Sequence, residues 1–251
     1  MKITENAQKL LRQRYYISPT ETWAMLSDRV VKHVCAGENY GYKQSVYNDI
    51  HNLVWLPNSP CLVNSGKLSG GLMACFVRDV EDDTLEAIFE CVSDIAQIAK
   101  RGGGAGFSPS LVRAENSPVA GSTHGYAIGP NGIASIVSHN MDKLSQSGFR
   151  RMALMYALDA YHPDAEKFVG LKHSGNEGEM YNFNQSLFAN DHFMGKAFSN
   201  PYSGEGGLLR KIIHGAWSAG EPGLLFADRI NDSPYTYSGQ VIRCSNPCKL
   251  K

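Results

Sequence analysis

No stretch of this chain approaches the run of about 18 apolar residues that a membrane-spanning helix requires. The opening residues, Met1 followed by "KITENAQKLL", lack the apolar core of a secretion signal, so the chain reads as cytoplasmic. Charge of one sign is also missing. The 24 basic and 24 acidic residues cancel, which leaves no electrostatic footprint for nucleic acid and no acidic tail. The six cysteines (35, 61, 75, 91, 244 and 248) never fall in a C-x-x-C pair, and a disulfide framework is not expected in an intracellular chain of 251 residues. Cys244 and Cys248 would chelate a metal only with two further ligands, and none stands nearby. The eight histidines form neither H-x-x-x-H nor H-E-x-x-H, so no metal site is expected. The phosphate-binding G-x-x-x-x-G-K-[ST] loop is absent, as is G-x-G-x-x-G in a strand-to-helix setting. Ser59, Ser108 and Ser110 lie outside any G-x-S-x-G elbow, which argues against a hydrolase nucleophile.

What is present alternates. Residues 1–55 carry apolar residues at helical spacing, with Thr20 the expected N-cap of a helix through Trp23, Leu26 and Val30 that stops at Gly37. From residue 56 to 251, short β-like runs ("LMACFV", "MALMYALDA", "YNFNQSLFA") alternate with amphipathic helices. That order predicts an α/β architecture with parallel strands. The clearest helix is "DDTLEAIFECVSDIAQIAK". Leu85, Ile88, Phe89, Val92, Ile95, Ala96 and Ala99 would form its buried stripe, Asp83 and Glu86 a capping box, and Gly102 its stop. Either Asn190 or Asp191 caps the helix "NDHFMGKAF", and Gly220 ends "LLRKIIHGAWSAG".

Three stretches admit chemistry. "KRGGGAGFSPS" reads either as a glycine loop approaching phosphates or as the turn that ends a helix. "SQSGFRR" places Arg150 and Arg151 either to read a nucleotide or on a solvated turn. Asp82 either favours a helix N-terminus electrostatically or accepts from a ribose hydroxyl. "SNPC" is a Pro-restricted turn, so Cys248 is expected on an exposed tip beside Asn246.

Eight blocks stand in one order: "LPNSPCLVNSG", "LMACFV", "RGGGAGFSPS", "QSGFRR", "HPDAEKFV", "NFNQSL", "GEPGLLFADRIND" and "SNPC". Together they resemble the catalytic chain of ribonucleotide reductases, most of all the adenosylcobalamin-dependent class II. The resemblance implies a helical N-terminal region followed by the first half of a ten-stranded α/β barrel, with the finger-loop tip at the C-terminus. It implies that Cys248 is the thiyl-radical cysteine, that Asn246 bonds the substrate ribose and that Cys75 is one of two reducing thiols. Ser59 and the Ala74 backbone would contact the substrate's ribose and phosphates. Asp82, Arg101 and Arg113 would form a site for a dNTP or ATP effector at a homodimer interface, with Gln146 and Arg150 relaying effector identity to substrate choice. Thioredoxin or glutaredoxin would re-reduce the thiols. Where the family carries a glutamate two residues after the radical cysteine, this sequence has Leu250, and the second reducing cysteine is missing. The expectation is therefore a fragment completed by a complementary C-terminal reductase chain. Two alternatives are a class I large-chain fragment and a non-catalytic dNTP-binding remnant.

Overall fold

The computed structural model describes residues 3–68, 70–121, 124–145, 153–172, 180, 183–233 and 239–247. They belong to two compact units, 1–74 and 75–251. No described helix is long and apolar enough to cross a membrane.

The first unit is helical: α1 (Glu5–Arg14), α2 (Trp23–Val34), α3 (Tyr40–His51) and α4 (Ser59–Asn64). The helices share one apolar cluster containing Trp23, Leu26, Val30, Val31, Ile50, Cys61 and Leu62. Cys61 and Leu62 bring α4 into this cluster, so the helical unit reaches beyond residue 55, and the compact unit runs to Ala74. Arg29 reinforces this. It pairs with the buried Glu21 at 2.7 Å and donates to the carbonyls of Leu62 and Ser65. Thr22, not Thr20, caps α2, its hydroxyl accepting from the Met25 amide. The intervening Glu21 is drawn away to accept from the Ile17 amide and from Arg29. Cys35 rather than Gly37 is the C-cap.

The second unit is a parallel sheet. Its strands are β1 (Cys75–Val77), β2 (Gly104–Phe107), β3 (Leu154–Asp159), β4 (Phe183–Ala189) and β5 (Gly223–Phe226), in the spatial order β1-β2-β3-β4-β5. The crossover segments carry α5 (Leu85–Lys100), α6 (Gly129–Ser145), α7 (Ala165–Gly170), α8 (Asp191–Ser199) and α9 (Gly204–Ala219). Alternate strand residues face these helices: Ala105, Phe107, Leu154, Tyr156, Leu158, Phe183 and Leu187 join Val92, Ile95, Ile133, Val137, Phe168 and Phe193 in one core. The expected α/β half-barrel of five parallel strands is what forms.

Three local expectations are corrected. Thr84 caps α5 by accepting from the Ala87 amide, because Asp83 instead takes the Nε donor of Arg113 at 2.6 Å. Leu85 and Phe89 are 66% and 52% exposed, since the buried side of α5 runs through Cys91, Val92 and Ile95. And "GGGAGF" is not simply a loop. Gly102 (φ 78°) and Gly103 close α5 with the two backward bonds of a Schellman motif, to Ala99 and Ile98, and Gly104–Phe107 is a fully buried strand. Asn190 caps α8 and Gly220, at φ 76°, ends α9.

Candidate functional site

The face of the sheet turned away from the helices carries the second set of alternating residues. Strand register places Cys75 beside Gly104, Gly106 beside Met155, Met155 beside Asn184 and Ala157 beside Ser186. Two of these positions have no side chain, and the gap is filled by the chain's own residues 242–247. A Cβ on Gly104 would come within 2.8 Å of the Pro247 ring, and one on Gly106 would collide with the Ser245 carbonyl oxygen. Asn184 donates from Nδ2 to the Pro247 carbonyl at 3.2 Å. Cys244 is 2% exposed in a small cluster with Ala157, Phe188 and the partly buried Leu225 and Ile242. Burial pushes its thiol pKa well above the ordinary value, so Cys244 is a packing residue rather than a nucleophile. Cys91, on the helix side, is likewise pushed up to about 12 by burial and donates to the Arg78 carbonyl.

Cys75 therefore occupies the same face as the seat of Pro247, on the strand next to Gly104, and adjacent strands lie roughly 4.8 Å apart. Asn246 is exposed one residue before that seat. Cys248, Gln146 and Arg150 lie outside the described residues. Ser59 and Ala74 belong to the helical unit. Ser59 opens α4, and its hydroxyl lies 3.1 Å from that of Tyr15.

Asp79, just beyond β1, is a strongly perturbed acid. Its Oδ1 is buried with no hydrogen-bond partner among the described residues. Burial raises its pKa from 3.8 to about 6, against the opposing pull of Arg243, the Ser108 backbone and Arg78.

The expected effector residues divide. Asp82 and Arg113 come together at the N-terminal end of α5. Asp82 accepts from the Asp83 amide at 2.8 Å, and Arg113 bonds Asp83 and the Pro118 carbonyl. Arg113 thereby holds down a hairpin whose strands meet at Pro118 and Tyr126. Arg101 is the C-cap at the opposite end of α5, about 24 Å away along a 16-residue helix. One chain therefore does not assemble all three into one pocket.

Sequence reasoning assigned no role to Asp79, Asn184 or Asn231, gave Asp83 only a capping role, and read Gly104 and Gly106 as part of a loop rather than as a strand face. The period-two spacing of Gly104 and Gly106 within an apolar run was the available signal: it marks one strand face stripped of side chains. Among the described residues no group of His, Cys, Asp and Glu could hold a metal ion.

The family described as "Ribonucleotide reductase, barrel domain" matches residues 73–202. A protein of Mycobacterium tuberculosis named vitamin B12-dependent ribonucleoside-diphosphate reductase is 32% identical over 99% of this chain and 39% of its own length. One of the same name from Thermoplasma acidophilum is 37% identical over 78% of this chain and 27% of its length. The chain thus spans well under half of these relatives. Among solved structures, the Actinobacillus ureae class Id ribonucleotide reductase alpha subunit superposes with a TM-score of 0.75 at 17% identity, covering 91% of this chain and 41% of that one. The matched region begins just before β1 and runs through β4, the strands that carry Cys75, Gly104, Gly106 and Asn184, and on this ground the chain belongs to the ribonucleotide reductase family.

Proposed function

We propose that this chain supplies the N-terminal catalytic half of a ribonucleotide reductase that converts ribonucleotides to 2′-deoxyribonucleotides by thiyl-radical chemistry. The observation that carries the reading is the juxtaposition on one sheet face of Cys75 and the segment that leads to Cys248. In this reading the Cys248 sulfur takes the 3′ hydrogen of the ribose and later returns it. The 2′ hydroxyl leaves as water, and Cys75 with a second thiol supplies two electrons and closes a disulfide. Asn246, exposed beside that tip, holds the ribose, while Ser59 and the Ala74 backbone contact ribose and phosphates.

The names of the relatives support adenosylcobalamin as the radical source. Cobalamin enters the reading through the relatives alone.

The second thiol, the general base and the remaining strands come, in this reading, from a complementary C-terminal reductase chain. Two observations support it: β1 and β5 pair on one side only among the described residues, and Val77 and Phe226 on those strands are about half exposed. Asp82 and Arg113 of one copy and Arg101 of a second would together bind a dNTP or ATP effector, with Gln146 and Arg150 relaying its identity. That division is supported by the length of α5 between them. Thioredoxin or glutaredoxin would restore the thiols.

The test is turnover of the chain co-expressed with its complementary half and supplied with adenosylcobalamin and a dithiol. Cys248→Ala and Cys75→Ala should each abolish multiple turnovers, and Cys35→Ala, in the helical unit, should not. Undiminished product from Cys248→Ala refutes the reading. Calorimetry with dATP, dTTP and dGTP decides whether the effector site exists.

A further inference from the structure

The last described residues of this chain do not trail from β5. They are returned to the sheet and held there by groups with no role in the chemistry above. Asn231, the final residue of α10 (Ala227–Asn231), makes a two-point bond to the backbone of Ile242. Its Oδ1 accepts from the Ile242 amide at 2.7 Å, and its Nδ2 donates to the Ile242 carbonyl at 3.0 Å and to the Ala227 carbonyl at 2.9 Å. One side chain thus takes the place of a neighbouring strand for residue 242 and ties it to the helix that follows β5.

Downstream, each successive residue meets a fitted surface. Arg243 sits where the buried Asp79 carboxylate attracts it. Cys244 fills the pocket lined by Ala157 and Phe188. Ser245 and Pro247 lie over the two positions of β2 that carry no side chain. Asn184 then takes the Pro247 carbonyl. Gly104 and Gly106 are required for this approach and not for a turn: neither has a positive φ.

We infer that Asn231 and the Gly104–Gly106 track are positioning residues that seat segment 242–247 on the half-barrel, and so fix the point on the inner face at which the chain leaves Pro247. The catalytic consequence rests on the reductase reading above, but the seating does not. The inference also implies a division of labour. Segment 242–247 is held by groups of the same unit, before any complementary half is added.

The experiment reads the two parts separately. In the chain alone, Cys244 serves as reporter, because its thiol is covered only while the segment is seated. Asn231→Ala should raise its rate of modification by a small aromatic disulfide on the order of tenfold to a hundredfold, since two hydrogen bonds to residue 242 are lost and the freed thiol ionises more easily. Gly106→Ala should do the same from the opposite side of the segment. Asn231→Asp, which keeps the acceptor and loses the donor, should fall between. Asp232→Ala, at the exposed neighbouring residue, should leave the rate unchanged. Circular dichroism establishes that the sheet survives in each variant. In the complemented reductase, Asn231→Ala should lower kcat at least tenfold with KM within about twofold of the parent, because the tip is misaimed while the substrate pocket is intact. Cys244 protection unchanged in both Asn231→Ala and Gly106→Ala overturns the seating. A faster thiol with undiminished kcat overturns the positioning role. Should the parent complex make no deoxynucleotide at all, the reductase reading fails, and the thiol rates still decide the seat.

Discussion

Replacing Asp79 by Asn should change the pH dependence of stability in a direction opposite to that of most carboxylates. A carboxyl whose pKa rises from 3.8 to about 6 on folding is ionised more easily in the unfolded chain than in the native one. Below pH 3.8 the group is neutral in both states and contributes nothing. Between there and about pH 6 the native state holds a proton that the unfolded state has released, so stability falls as pH rises. Above about pH 6 the whole deficit is present. A gap of this size corresponds to about 3 kcal/mol at 1.36 kcal/mol per pH decade, and the partial exposure of the side chain argues for 1–3 kcal/mol as the working range. Asp79→Asn keeps an oxygen to accept from the Ser108 amide and removes the buried charge. The variant should therefore be more stable than the parent at pH 7.5, by up to about 2 kcal/mol once the lost attraction to Arg243 is set against the gain, and equal to it near pH 4. The assay is urea unfolding followed by circular dichroism from pH 4 to 8, compared as a difference between the two proteins so that the histidines cancel. A difference that stays flat across pH 4–7 refutes a carboxyl pKa raised by burial at Asp79.

Two further outcomes follow from α5. Thr84→Ala should cost about 1 kcal/mol in the same unfolding assay, the usual loss for an N-cap hydroxyl, whereas Asp83→Ala leaves the cap in place and should act by releasing Arg113 and the hairpin at Pro118. If the exposed Leu85 and Phe89 form part of a homodimer face beside Asp82 and Arg113, Leu85→Glu with Phe89→Glu should yield a monomer by light scattering at concentrations where the parent chain is dimeric, with the helix content unchanged. A dimer that survives both charges places the interface elsewhere.

The order of strands and helices, the parallel sheet and some helix ends were legible in the linear pattern, because hydrophobic period and capping chemistry are local properties. Asn190 caps α8, and Gly220 ends α9 with a left-handed residue. The errors fell where two side chains competed for one task. Asp83 was credited with a cap that Thr84 makes, because the pull of Arg113, 30 residues away, cannot be seen from a neighbourhood of four. Thr20 lost to Thr22 for a similar reason, Glu21 being held by Arg29.

The site divides along the same line. Residue type and block order were enough to nominate Cys75, Asn246 and Cys248, since a resemblance is carried by letters in sequence. Why the glycines alternate, why Asn231 and Asn184 are amides and why the Asp79 pKa is raised are questions answered by contacts spanning 11 to about 160 residues. Such contacts exist only once the chain has folded back across its own sheet. No periodicity encodes them, because the atoms that need the space or supply the hydrogen bond belong to the far end of the chain.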